Sequence, residues 1–321
     1  MEATSGLSGR VSENIIRRFT YTGEEIIPDD VTHVFVNVKV VPPGAFRGHH
    51  SIREIICHEN VEKIEEHAFD GCTNLIRVIM PGVKTVEKMA FDSCESLRYI
   101  ECKKLKKISR RAFVRCTSLQ TIALPSAEIF QPGLFSNCNS LMYARFGCKL
   151  KSFNSMAFFN CRSLKVIVVP MKYNLITDDT VFMQCGLKYA YLVEEVEVKD
   201  TISALQLQEW RNDMNEEFHS INQILPDAAA GSFVEGVVRF GEKAQVIRRW
   251  IRSVLHKINH YQAEHKRLLN EAANTIQLFL PRDIVRNNVL SFLDLPSHTF
   301  EFGDHEDEDN NNDDSLSGNE G

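Results

Sequence analysis

The stretch Ala112-Phe113-Val114-Arg115-Cys116-Thr117-Ser118-Leu119-Gln120-Thr121-Ile122-Ala123-Leu124-Pro125 decides the fold, because it returns along the chain. Ala-Phe recurs at Ala45-Phe46, Ala68-Phe69, Ala90-Phe91 and Ala157-Phe158, and Leu134-Phe135 and Val181-Phe182 fill the gaps. Successive Phe positions lie 23, 22, 22, 22, 23 and 24 residues apart. Three residues after the Phe stands a cysteine (Cys72, Cys94, Cys116, Cys138, Cys161, Cys185), with His49 in the first copy. Six after it comes Ile52, Leu75, Leu97, Leu119, Leu141 or Leu164, and the seventh copy supplies Leu187 one residue early. Five before it is Val41, Ile64, Val86, Ile108, Phe130 or Phe153. Self-similarity at a period this short marks units that cannot bury an apolar side alone and must stack on one another.

After each Leu the pattern alternates as a half-buried strand does. Inward positions are Ile55 and Cys57, Val78 and Met80, Ile100 and Cys102, Ile122 and Leu124, and Ile167 and Val169. Pro81, Pro125 and Pro170 follow where a strand must stop. One strand per repeat in a parallel ladder is therefore expected, with Phe46 in the end coil having one neighbouring ring instead of two.

The unit A-F-x-x-C-x-S-L-x-x-I-x-L-P resembles the BspA-like class of leucine-rich repeats over about residues 31–192. That resemblance implies a right-handed β-solenoid or horseshoe of about seven coils, used to bind other macromolecules and without catalytic activity of its own. Gly186 departs from the pattern, so the last coil is expected to be a degenerate cap. Ala144 and Phe146 also depart, in the fifth strand.

Outward strand positions form two rows. One reads Glu54, Arg77, Tyr99, Thr121, Tyr143, Val166, Tyr189, and the other Ile56, Ile79, Glu101, Ala123, Arg145, Val168, Tyr191. They vary while the inward rows are monotonous, and Tyr and Arg are types enriched at binding hot spots. Arg77, Tyr99, Glu101, Tyr143, Arg145, Tyr189 and Tyr191 are the expected partner-binding residues, on the concave face. A solvated β-surface that favours Tyr, Val and Ile by propensity is the plain alternative.

Six of the nine cysteines share one repeat position and are expected as a column of buried free thiols. Neighbouring coils also stand close enough for a disulfide to span. No C-x-x-C pair is present, so no metal is expected. The first ten residues carry no apolar core stretch, so no secretory leader is expected, and the expected address is cytoplasmic or nuclear.

From about Val193 helical spacing replaces the period. Thr201–Glu217 reads as one helix that Phe218–Leu225 extends, with a loop at Pro226–Ser232. A long helix follows over about 242–280, with apolar positions Ile247, Ile251, Val254, Ile258, Tyr261, Leu268 and Ala272. Pro281 then opens a short helix running to Leu293. The long helix is basic, through Arg248, Arg249, Arg252 and Lys257 among others. It serves as a cap on the last coil, a seam for self-association with a second copy, a binder of acidic surfaces, or a nucleic-acid contact. No reading motif accompanies the charge, so nucleic acid is not the expected partner. His256 and His260 lack the Glu of a zinc helix, and Gly236 and Gly241 lack the Lys-[Ser/Thr] of a phosphate loop. No nucleophile, base or metal cluster stands at usable spacing, so neither a catalytic residue nor a cofactor is expected. Residues 280–293 faintly resemble the opening of an F-box adaptor.

The chain has 321 residues, 43% apolar and 25% charged, with a formal charge of −6. No run approaches the ~18 apolar residues of a membrane span. Nine carboxylates and no Lys or Arg fall within residues 301–321. Without them the body holds 34 acids and 37 bases, which excludes a global preference for acidic or basic partners. The expected organisation is an N-terminal segment (1–30), repeats (31–192), a helical region (193–297) and an acidic tail (298–321) too charged to fold. The expected function is non-catalytic protein–protein interaction, with a basic-helix adaptor as the alternative.

Overall fold

The computed structural model describes residues 16–221, 242–285 and 287. The expected loop at 226–232, the far end of the helix after Pro281, most of its F-box-like stretch and the acidic tail lie outside the described residues.

Each repeat becomes one coil of a β-solenoid. The principal sheet is parallel and contains β1 (Arg18–Tyr21), β2 (His33–Val36), β4 (Glu54–Cys57), β6 (Arg77–Ile79) and β8 (Tyr99–Glu101). It resumes with β10 (Thr121–Leu124), β12 (Tyr143–Phe146), β13 (Val166–Val169) and β14 (Tyr189–Leu192). A second parallel sheet stacks the two-residue strands β3 (Val40–Val41), β5 (Lys63–Ile64), β7 (Thr85–Val86), β9 (Lys107–Ile108) and β11 (Ile129–Phe130). Several coils thus carry two strands where the sequence suggested one. The second is too short to show a period of two, although its inward residue is the apolar one five before each Phe. The principal sheet also begins a coil earlier than expected, because β1 pairs in parallel with β2. Arg18–Tyr21 alternates like a strand but carries neither the Phe nor the Cys of the repeat.

Between the sheets run the repeated side chains. Phe46, Phe69, Phe91, Phe113, Phe135 and Phe158 are fully buried, and their rings stack at 4.8, 5.0, 5.2, 5.6 and 5.6 Å with interplanar angles of 16° or less. Phe182 extends the stack at 5.6 Å. Phe46 is not an open end, as the sequence implied: Tyr21 meets its ring edge-on at 4.9 Å. Phe146 occupies the interior with Phe130, Phe153 and Phe158 as an aromatic cluster, so the fifth strand packs despite its departure from the pattern.

All nine cysteines are free, and the column has a task beyond filling space. Cys72, Cys94, Cys116, Cys138 and Cys161 each donate from Sγ to the carbonyl of the Phe one coil back, at 3.0–3.3 Å. The thiol satisfies an interior carbonyl while staying apolar enough to be buried. Burial pushes the Cys72 thiol up to about 12, so it stays protonated and able to donate.

Backbone geometry repeats as well. Two residues after the Phe the chain takes a positive φ, at Gly48, Gly71, Ser93, Arg115, Asn137, Asn160 and Gln184. At Gly186 a Cβ would lie 2.0 Å from the Arg162 carbonyl oxygen. The coil is one residue short there, and only a residue without a side chain lets the backbone close on its neighbour. β14 still pairs in register with β13, so the seventh coil is complete.

Behind β14 the chain turns into α1 (Glu195–Ala204) and α2 (Gln208–His219). The single helix expected over Thr201–Glu217 is broken, because Leu205 and Leu207 are extended. Leu205 is buried at the break, and its carbonyl accepts from the Arg211 guanidinium. The next helix, α3 (Glu242–Ile276), packs on α2 and on the 3-10 turn Asp179–Phe182 of the last coil. Ile247, Ile251, Val254 and Ile258 are buried, whereas Ala272, expected on the same stripe, is exposed and Ala273 is buried in its place. After Pro281 one helical turn, Arg282–Ile284, is described.

Candidate functional site

The register of the principal sheet builds the two outward rows. His33, Glu54, Arg77 and Tyr99 stand side by side, as do Thr121, Tyr143, Val166 and Tyr189. Three of the expected residues, Arg77, Tyr99 and Glu101, connect with Glu54 across three coils. Arg77 bonds Glu54 at 3.2 Å and lies 5.3 Å from the centre of the Tyr99 ring. Tyr99 donates its hydroxyl to Glu101 at 3.2 Å, and Lys103 reaches Glu101 at 3.1 Å. The hydrogen bond from Lys103, its charge and the Tyr99 hydroxyl hold the Glu101 carboxyl below the usual carboxylate range. Tyr99 remains 47% exposed, so the network fixes its ring without hiding it. Tyr189 and Tyr191 are exposed at the far end on β14, beyond Val166 and the buried Val168 of β13. Arg145 is exposed on β12.

The sheet parts between Tyr99 and Thr121. β8 ends one run of paired strands and β10 begins the next, and among the described residues no backbone bond joins them. The same two coils remain closed elsewhere: Phe91 N–H bonds Ala112 O at 2.9 Å, Ser93 N–H bonds Val114 O at 3.0 Å, and β9 pairs with β11. The opening is therefore local. It forms a cleft of about 570 Å³ lined by Tyr99, Ile100, Glu101, Lys103, Thr121 and Tyr143, among others. Ile100 shows the consequence, being partly exposed where its counterparts Ile55, Val78 and Ile122 are buried.

Alternate residues of a strand point their amides to opposite sides. Tyr99 N–H bonds Ile76 O on the β6 side, so Ile100 points its backbone groups into the cleft. Tyr143 N–H bonds Gln120 O, so Thr121 and Ala123 face the cleft from the other lip. Both lips thus offer backbone donors and acceptors without a partner strand, flanked by two tyrosines and the Glu101–Lys103 pair. Residue types alone pointed to Tyr99, Glu101 and Tyr143. They could not reveal the parting, because Ile100 and Thr121 carry the same repeat pattern as paired neighbours. Phe35, 39% exposed on β2, was missed because it lies before the first full repeat.

The basic helix residues have structural engagements. Arg248 donates to Ile176 O at 2.8 Å and pairs with Asp179 at 2.9 Å. The Arg252 guanidinium lies 4.7 Å from the centre of the Tyr173 ring, and Lys257 pairs with Asp213 and Glu217 at 2.8 and 3.2 Å. Arg249 is exposed. The seam that self-association would use is buried from Ile247 to Ile258 against the chain's own last coil and α2. Among the described residues no helix is long and apolar enough to cross a membrane.

No curated protein matches the chain. Among solved structures, a leucine-rich repeat protein of T. pallidum is similar over 54% of this chain and 74% of its own, at 24% identity and a TM-score of 0.39. A leucine-rich repeat protein from Bacteroides ovatus is similar over 56% of this chain and 53% of its own, at 18% identity and a TM-score of 0.42. The family described as BspA type leucine rich repeat region matches in six copies, over residues 39–165 and 84–201. With the Phe stack, the Cys column and parallel coils in register, the chain belongs to the BspA-type leucine-rich-repeat family.

Proposed function

We propose that the chain is a non-catalytic protein-recognition module whose contact surface is the outward face of the principal sheet, centred on the opening between β8 and β10. The parting of the sheet carries this reading. Unpaired strand edges are sites where an extended segment of another protein finds main-chain hydrogen bonds. Tyr99 and Tyr143 beside them supply large, rigid contact area at small entropic cost. The preferred partner offers backbone or side-chain amide groups together with an apolar side chain. The address proposed with it is intracellular, cytoplasmic or nuclear, which nine free cysteines support.

The test is quantitative capture on immobilised full-length chain, followed by titration of the retained protein against variants. Y99A/Y143A should weaken that protein by at least about 2 kcal/mol, roughly thirtyfold, the magnitude of a hot spot. R249Q on α3 should leave it unchanged. Loss with R249Q and survival with Y99A/Y143A would transfer recognition to the helix and end the proposal.

A further inference from the structure

Charge in this chain is segregated far more sharply than its total suggests. Between Cys102 and Thr177 there are thirteen Lys and Arg and one carboxylate, Glu128. The coils before this stretch neutralise themselves, through a ladder in which Glu62 pairs with Lys39 at 3.9 Å and with Lys84 at 2.9 Å. In the coil that follows β8 the pattern fails. Seven Lys and Arg (Lys103, Lys104, Lys106, Lys107, Arg110, Arg111 and Arg115) fall within the thirteen positions 103–115, and all seven are exposed. Lys103, Lys106 and Arg115 pair with Glu101, Glu128 and Asp92. Lys104, Arg110 and Arg111, like Lys149 and Lys151 farther along, have no ion pair among the described residues. This belt runs from Lys103, on the lip of the cleft, across β9, so it adjoins the proposed recognition face and shares Lys103 with it.

The complementary charge is in the same chain. Residues 301–321 hold nine carboxylates and no base. We propose that this acidic tail docks in cis on the basic belt and screens it from other polyanions. Distance permits the contact. Asn287 precedes Asp304 by 17 residues and Glu320 by 33, spans of up to about 56 and 110 Å. From Arg248, seated on the last coil, α3 runs about 42 Å to Ile276. Three coils between the last coil and the belt add about 14 Å. The tail reaches the belt even if the helix points directly away. Docking of this kind is electrostatic and is weakened by salt, with a screening length of about 8 Å at physiological ionic strength and about 3 Å at 1 M.

Lysine footprinting of the full-length chain tests the contact, using an amine-reactive ester and mass spectrometry. The comparison variant is D304N/E306Q/D307N/E308Q/D309N/D313N/D314N, whose substitutions all lie outside the solenoid. In the native chain at low salt, Lys103, Lys104, Lys106 and Lys107 should label roughly threefold or more slowly than in the variant, and the difference should vanish at 1 M salt. Lys199 on α1 is the control and should label equally in both. A labelled 20-bp DNA duplex, used as a polyanion probe, should bind the variant more tightly than the native chain. Equal lysine labelling in the two proteins overturns the proposal. So does protection that grows with protein concentration, which would place a second copy's tail on the belt. Equal duplex binding overturns it too, because the belt would then be open to nucleic acid. Failure here leaves the tyrosine-centred reading untouched, since that is read from Tyr99 and Tyr143.

Discussion

Replacing Phe91 by alanine removes the middle of the ring stack. Its side chain is fully buried, and its ring faces Phe69 at 5.0 Å and Phe113 at 5.2 Å. Truncation forfeits the transfer energy of the ring and leaves a cavity that rigid neighbouring coils cannot close, a loss of about 3–5 kcal/mol. Phe46→Ala should cost about as much, because Tyr21 covers that ring on its outer side. Phe182→Ala should cost about 1 kcal/mol less than Phe91→Ala, since one ring, Phe158 at 5.6 Å, stacks on it. Phe91→Leu should recover about half the loss by refilling most of the volume. Urea unfolding followed by far-UV circular dichroism reads these differences. With a slope of about 3 kcal/mol/M for a domain this size, Phe91→Ala should lower the midpoint by about 1–2 M. A shift below about 0.3 M, no greater than that of a surface substitution, would refute a continuous stack as the source of stability.

Gly186→Ala should destabilise the chain by about 2 kcal/mol or more in the same assay, because its methyl would meet the Arg162 carbonyl; a neutral change would show that the seventh coil closes differently. In the native protein Cys148 is the exposed thiol, and the other eight should alkylate only after denaturation. Although Cys148 is exposed, partial desolvation of its thiol and the hydrogen-bonded carboxylate of Glu194 push it up to about 11, so its labelling rate should rise about tenfold per pH unit toward that value. Glu194→Gln should speed labelling near pH 8; rates that level off near pH 9 in the native chain would contradict this assignment.

What the sequence disclosed followed from period. The Phe, Cys and Leu columns are set by spacing near 22, and spacing survives without coordinates. The two-residue strands of the second sheet were invisible because Lys63–Ile64 or Lys107–Ile108 is too short to alternate. The break at Leu205 was missed because helical spacing continues through it, and only the buried Leu205 and its Arg211 contact reveal the turn. Tyr99, Glu101 and Tyr143 were legible as candidates through residue type. Their arrangement around an opening was not, since a parted ladder depends on coil geometry that the repeat pattern shares with paired coils. The basic helix was legible as a cap on the last coil, but not the means of its attachment: Arg248, Arg252 and Lys257 hold it there and to α2 instead of standing solvated.

Amide hydrogen exchange across the principal sheet tests most directly whether the opening exists. In the free chain the amides of Ile100, Thr121 and Ala123 should exchange far faster than those of Met80, Tyr99 and Tyr143, which bond Glu101 O at 2.8 Å, Ile76 O at 3.2 Å and Gln120 O at 3.3 Å. On addition of a protein that Y99A/Y143A fails to retain, the same three amides should become protected. If Ile100, Thr121 and Ala123 exchange as slowly as their paired neighbours in the free chain, the ladder is continuous and the cleft cannot be the centre of recognition.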